Sequence, residues 1–139
     1  MNEKMREAVA LLEEAGFAYS VHEGWAEGVV VKTIVFKKKV SGEPFAVAVR
    51  KEDRVSYKKI RSLVGSGVSP LSPEELEELG WVPGECCPLT INCSLYVDTQ
   101  AVAPNEIHTG SGDTRFGLLY CTQALHAIRD DLSVVDARE

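Results

Sequence analysis

The run Val29-Val30-Val31-Lys32-Thr33-Ile34-Val35-Phe36 constrains this chain more than any other segment. Its β-branched side chains are stiff at χ1 and pack well on a pleated surface, so the run predicts a central strand. The one charge in it, Lys32, falls on the same face as Val30 and Ile34 by strand alternation. A lysine so placed must pair with an acid, snorkel to an edge, or meet a ligand. In the last case its ammonium could hold a phosphate or polarise a carbonyl oxygen.

Around this strand, helical and extended patterns mix. Met5, Ala8, Val9, Leu12 and Ala15 fall at three- and four-residue spacing and predict a helix over 2–15 that stops at Gly16. A short strand is expected over 17–21, and Val40-Ser41-Gly42-Glu43 turns the chain into another over 45–49. A short helix is expected over 57–64, ending at Gly65. Ser72-Pro73-Glu74-Glu75 is the cleanest local signal: serine at N-cap, proline at N1, glutamate at N3, and both acids near the positive helix end. That helix runs to Leu79 and stops at Gly80. Strands over 94–97 and 116–120 and a helix over 122–128 follow, and the tail after Asp131 carries no clear pattern.

The order lacks a regular βαβ alternation, which predicts an α+β fold with a curved, mostly antiparallel sheet and helices around it. At 139 residues the chain suits a single domain over 1–139. It has no glycine-rich loop of Rossmann or Walker type, which speaks against nucleotide folds. No apolar run approaches the roughly 20 residues needed to span a bilayer. Met1-Asn2-Glu3-Lys4 opens directly into the first helix, so no signal peptide and a cytoplasmic location are expected.

The charge is uneven. The net charge is −6, yet residues 32–61 hold ten basic side chains against three acidic ones, a local +7. The remainder, five basic against eighteen acidic, carries −13. Such a segment can draw a polyanion while the whole molecule stays acidic, or it can be a solvated strand edge whose lysines block pairing.

Two loops contain glycines that could approach a ligand by backbone. Gly84-Glu85-Cys86-Cys87-Pro88 couples a permissive residue to a stiff exit, and its N–H groups could serve as an oxyanion-type site. Gly110-Ser111-Gly112-Asp113 is the second, although such a glycine pair is often only a turn. Asp98 could pair with Lys32 or cap a turn. The cysteines at 86, 87, 93 and 121 form no C-x-x-C pair and read as reduced thiols. His22, His108 and His126 show no ligand spacing, so neither a metal nor another cofactor is expected.

Taken in order, these segments resemble the YbaK/prolyl-tRNA-synthetase-associated editing domain superfamily of aminoacyl-tRNA deacylases. Lys32-Thr33-Ile34-Val35-Phe36 is similar to its lysine-bearing strand, K-T-L-V-F. Gly80-Trp81-Val82-Pro83-Gly84-Glu85-Cys86-Cys87-Pro88 resembles the segment holding its G-x-x-x-P loop. Tyr96-Val97-Asp98 resembles its V-Y-V-D strand end, and Gly110-Ser111-Gly112-Asp113 its later G-A-G turn. The likeness runs over about residues 17–125.

The resemblance implies an enzyme that hydrolyses, in trans, the ester joining a wrong amino acid to the 3′ end of a tRNA. Lys32 would be the essential cation that orients the terminal nucleotide. Gly84, Cys86, Cys87 and Pro88 would frame the substrate loop, with Gly110, Ser111, Gly112 and Asp113 bordering it. A hydroxyl of the terminal ribose would assist the attacking water, without metal or cofactor. The implied partners are the acceptor end of a mischarged tRNA, a synthetase that it serves, and no membrane.

The chain departs from this pattern twice. Members carry a helix between the first strand and the lysine strand, but only nine residues separate His22 from Lys32. The pocket is therefore expected to be more open, or closed by another element such as a second copy in a homodimer, with altered substrate choice or lost turnover. Some members also place a histidine soon after the G-A-G turn, where this chain has Thr114-Arg115-Phe116. The alternatives are a diverged module that binds tRNA or a synthetase without turnover, and a thiol-dependent protein built on Cys86-Cys87.

Overall fold

The computed structural model describes residues 1–24 and 27–139. Helix α1 (Glu3–Glu14) leads into β1 (Tyr19–His22), β2 (Val31–Lys38) and β3 (Pro44–Arg50). Then come α2 (Tyr57–Val64), β4 (Val68–Pro70) and α3 (Pro73–Glu78). The last third supplies β5 (Ser94–Asp98), β6 (Glu106–Gly110), β7 (Gly117–Cys121), α4 (Thr122–Ile128) and β8 (Ser133–Val135).

The strands form two sheets. A five-stranded sheet has the order β4-β2-β3-β5-β8, and a three-stranded one the order β1-β7-β6. The smaller sheet is antiparallel throughout. In the larger, β2 pairs antiparallel with β3 and β4, whereas β3–β5 and β5–β8 are parallel. The expected α+β class holds, with a mixed main sheet.

Both faces of the main sheet are covered, which is why β2 and β3 read as almost continuous apolar runs. One face sends Val31, Val35, Ala46, Ala48, Leu95 and Val97 into the larger core, with Met5, Ala8 and Leu12 of α1 and Leu125 of α4. The opposite face sends Phe36, Phe45, Val47 and Val49 against Ile60 of α2. Large side chains buried this way contribute about 1.5–3 kcal/mol each.

The local signals set most element ends. Ser72 and Glu75 form the expected capping box at α3, each side chain bound to the other's backbone N–H. Ser56 caps α2, which closes on Gly65 at φ 68°, a left-handed conformation suited to glycine. Asn2 caps α1 by accepting from the Met5 N–H at 2.9 Å.

Asp98 caps a turn, accepting from the Gln100 N–H and the Ala137 N–H, and its ionic partner is Arg138 at 3.0 Å rather than Lys32. The parallel β5–β8 pairing brings the C-terminal residues to the end of β5 and so decides that partner.

Candidate functional site

The two sheets meet at the start of β2. Val30 bridges His108 in parallel, and the His108 N–H donates to the Val29 carbonyl at 2.8 Å. A cleft of about 470 Å³ opens there, lined by β2 residues Val31, Lys32 and Thr33 and by His108, Thr109 and Gly110 of β6. Its rim takes in Gly84 and Cys86 from one loop, and Thr114, Arg115 and Phe116 from another.

Glycine brings these two loops together. A Cβ at Gly110 would stand 2.7 Å from the Cys86 carbonyl oxygen and 3.1 Å from the Glu85 carbonyl carbon, closer than real contacts permit. The Gly112 N–H donates to the Glu85 carbonyl at 2.9 Å. Gly112 has φ 89°, and its missing Cβ would meet Lys4 at 2.6 Å. The second loop is also fixed to α1. The Asn2 N–H donates to Asp113 Oδ2 and its side-chain amide to the Gly112 carbonyl, both at 2.8 Å. The Arg115 backbone N–H, first, and its guanidinium hold the Asp113 carboxyl down at about 2.

Of the residues expected from sequence, Lys32, Gly84, Cys86 and Gly110 line the cleft together. Lys32 is half-buried, and its Nζ donates to the Lys51 carbonyl at 3.1 Å. Cys87, Pro88, Ser111, Gly112 and Asp113 do not line it. Cys87 and Ser111 are fully buried, and Ser111 Oγ donates to the Phe116 carbonyl at 2.7 Å, closing its loop from inside.

The loop from Gly84 to Cys93 is anchored by Arg129, which follows α4. Its Nη1 donates to the carbonyls of Pro88 at 3.0 Å and Ile91 at 2.8 Å, and its Nη2 to that of Cys93 at 2.8 Å. Asp131 completes the buried guanidinium's shell at 2.8 and 2.9 Å. Planar, forked donors make arginine the residue for several fixed carbonyls.

Burial pushes the thiols of Cys86, Cys87 and Cys93 up to about 11, so they stay protonated near neutral pH. That removes the thiolate which a cysteine nucleophile requires. Among the described residues no group of three or more metal-ligating side chains forms.

Sequence reasoning missed three features of the cleft. Thr33 is buried, and its Oγ1 has no hydrogen-bond partner among the described residues. His22 and His108 come together, with His22 Nε2 and His108 Nδ1 2.9 Å apart. Lys51 and Arg115 join Lys32 on the lining, and no lining residue among those described is acidic. The cleft is therefore a cationic, carboxylate-free site with backbone-bordered walls, suited to an anionic or ester-bearing group.

The aminoacyl-tRNA editing domain model matches residues 4–125, most of the chain. The chain belongs to that family. As an editing domain it shares its whole architecture with a candidate trans-editing enzyme for prolyl tRNA synthetase, at 25% identity and a TM-score of 0.82. That match covers 100% of this chain and 99% of the other. The hypothetical protein APE2540 superposes at a TM-score of 0.83 with 21% identity, covering 99% of this chain and 100% of its own. A scaffold used for grafting linear epitopes gives a TM-score of 0.82 at 22% identity, covering 100% and 99%. The last two show the shared fold alone. No curated protein matches the sequence.

In this editing domain residues 23, 24 and 27–30 form no helix before β2, as the short spacing predicts, and Trp25 and Ala26 lie outside the described residues. No helix among the described residues is long and apolar enough to cross a membrane.

Proposed function

We propose that this editing domain hydrolyses, in trans, the ester that joins a wrongly attached amino acid to the terminal ribose of a tRNA. The observation that carries the reading is the cleft itself: Lys32 on one wall, the glycine-bordered loops at Gly84 and Gly110 on the others, and no activated nucleophile among its lining residues. Such a site works by placing water and ester rather than by forming a covalent intermediate.

In this reading the terminal nucleotide enters along β2, where Lys32 meets its phosphate or carbonyl oxygen. The backbone of the 84–88 loop, held by Arg129, fixes the aminoacyl group, and a ribose hydroxyl assists the attacking water. Gly112, Ser111 and Asp113 act by holding the neighbouring turn in place, and Cys87 and Pro88 by shaping the loop from beneath. The exposed Lys58 and Arg61 of α2 add to the basic segment that would meet acceptor-stem phosphates. A cytoplasmic protein that clears products of a synthetase fits this role, with no cofactor.

A second reading is a module that holds an acceptor end or a synthetase without turnover. The observation in its favour is that the described residues between β1 and β2 form no helix, so a wall that such a helix would supply falls to another element, a second copy of the chain included. A panel of alanyl-, cysteinyl- and seryl-tRNA-Pro and prolyl-tRNA-Ala separates the readings. Hydrolysis of any one supports the enzyme. Binding without hydrolysis supports the module.

A further inference from the structure

His22 of β1 and His108 of β6 lie 86 positions apart in sequence and meet at the cleft, His22 Nε2 and His108 Nδ1 being 2.9 Å apart. Their rings make an edge-on contact with centroids 4.6 Å apart. The arrangement is built rather than incidental. Gly117 of β7 leaves room for it, because a Cβ there would stand 2.4 Å from His22 Cε1. His22 Nδ1 is buried and has no hydrogen-bond partner among the described residues, so His108 supplies the one hydrogen bond those residues give that imidazole. One hydrogen bond between two imidazoles uses one nitrogen of each, and the tautomers of the two rings are then linked.

We propose that His108 is a catalytic residue of this cleft, the base that takes the proton of the attacking water, and that His22 is the positioning residue that sets its tautomer. The proposal rests on the deacylase reading. With the His108 Nδ1 proton donated to His22 Nε2, His108 Nε2 carries a lone pair and has no partner among the described residues. Water attacks the ester carbonyl, its oxygen forms the new C–O bond, and its proton passes to His108 Nε2. When the tetrahedral intermediate collapses, the C–O bond to the ribose breaks and the departing ribose oxygen takes that proton. The products are a free amino acid and an uncharged tRNA terminus, and His108 returns to its starting form.

The charges around the pair are of one sign. The other charged groups lining the cleft are Lys32 of β2, Lys51 beyond β3 and Arg115 of the loop before β7, all cationic. Glu23 and Glu27, the acids nearest His22 in sequence, do not line it. Burial, and then the neighbouring His108, lower the His22 pKa from its ordinary 6.5.

The test is the single-turnover rate of ester hydrolysis against pH for wild type, His108→Ala, His22→Asn and Lys32→Ala, with the hydrolysed member of the mischarged-tRNA panel as substrate. The expected result is a loss of about 10²–10⁴-fold in His108→Ala at pH 7, with its acid limb gone. Added imidazole should restore part of that rate, and His22→Asn should lower the rate less than His108→Ala does while moving the acid limb. A structural role alone would move neither the limb nor the imidazole response. If His108→Ala does not fold, judged by circular dichroism, His108→Gln is measured in its place. Turnover that needs Lys32 but is unchanged in rate and pH profile by loss of His108 would overturn this proposal and leave the deacylase reading standing. A wild type that hydrolyses no substrate of the panel would overturn both.

Discussion

A Cβ on Gly110 would stand 2.7 Å from the carbonyl oxygen of Cys86, so the two loops bordering the cleft touch only because residue 110 has no side chain. The opposing atom is backbone and cannot swing aside like the end of a flexible side chain. Gly110→Ala therefore has to push the 84–88 loop off β6. The expected cost is about 1–3 kcal/mol of stability, read from denaturant midpoints, together with a loss of ester hydrolysis larger than that cost explains.

Arg129 supplies the donors for three carbonyls of the same loop, those of Pro88, Ile91 and Cys93. Arg129→Met keeps the bulk and removes every donor, which leaves buried acceptors and Asp131 without their partner. We expect a loss of about 1–3 kcal/mol for each carbonyl left buried without a donor, read in urea unfolding. Arg129→Lys should recover little of it, since one ammonium cannot reach all three oxygens in the guanidinium's geometry.

Asp113 has its carboxyl held down at about 2, chiefly by the backbone N–H and side chain of Arg115 and also by the Asn2 N–H. A group whose folded pKa is depressed stabilises the fold above its unfolded pKa, and the effect is lost as pH falls through the folded value. The ordinary value is 3.8, so the Asp113 contribution should be full above about pH 5 and fade toward pH 2. Asp113→Asn should be less stable than wild type at neutral pH and lose less on acidification, as followed by thermal melts across pH.

The thiols of Cys86, Cys87 and Cys93 are raised to about 11 by burial. Relative to a thiol at its ordinary 9.0 their thiolate fraction at neutral pH falls by roughly 100-fold. Iodoacetamide should modify them far more slowly in the native protein than in urea, as counted by intact mass. Cys86→Ser should retain hydrolysis, and a Cys86→Ser protein that folds but is inactive would revive the thiol reading.

Elements specified by adjacent residues are legible in the sequence alone. Ser72 and Glu75 define the start of α3, and the boundaries expected for α2 and α4 agree with those observed. The lysine strand is equally legible, because its β-branched composition reports burial on both faces. Strands β4 and β8 have three residues each, and β8 exists through parallel pairing with β5, which no local pattern encodes. Strand β6 is hidden because its last residue, Gly110, belongs to a segment that reads as a turn, although the alternately buried Ile107 and Thr109 carry a faint strand signal.

The site divides in the same way. Lys32 and the glycines are visible as short segments of the chain. The His22–His108 pair and the Arg129 clamp arise from contacts between residues 86 and 36–41 positions apart, and neither has a local spacing that would announce it. Arg129 is a basic residue just past a helix end, an ordinary place for a solvated side chain. Only the loop's carbonyls, all directed at one point, reveal its role.

The central claim is that Lys32 and the loops around it hold an aminoacyl ester for attack by water. The most direct measurement is the single-turnover hydrolysis of a mischarged tRNA by wild type and by Lys32→Ala, with tRNA binding measured on both proteins. The account predicts turnover by the wild type, a loss of at least about 10²-fold in the variant, and retained binding of the tRNA body. Equal hydrolysis by the two proteins would contradict it.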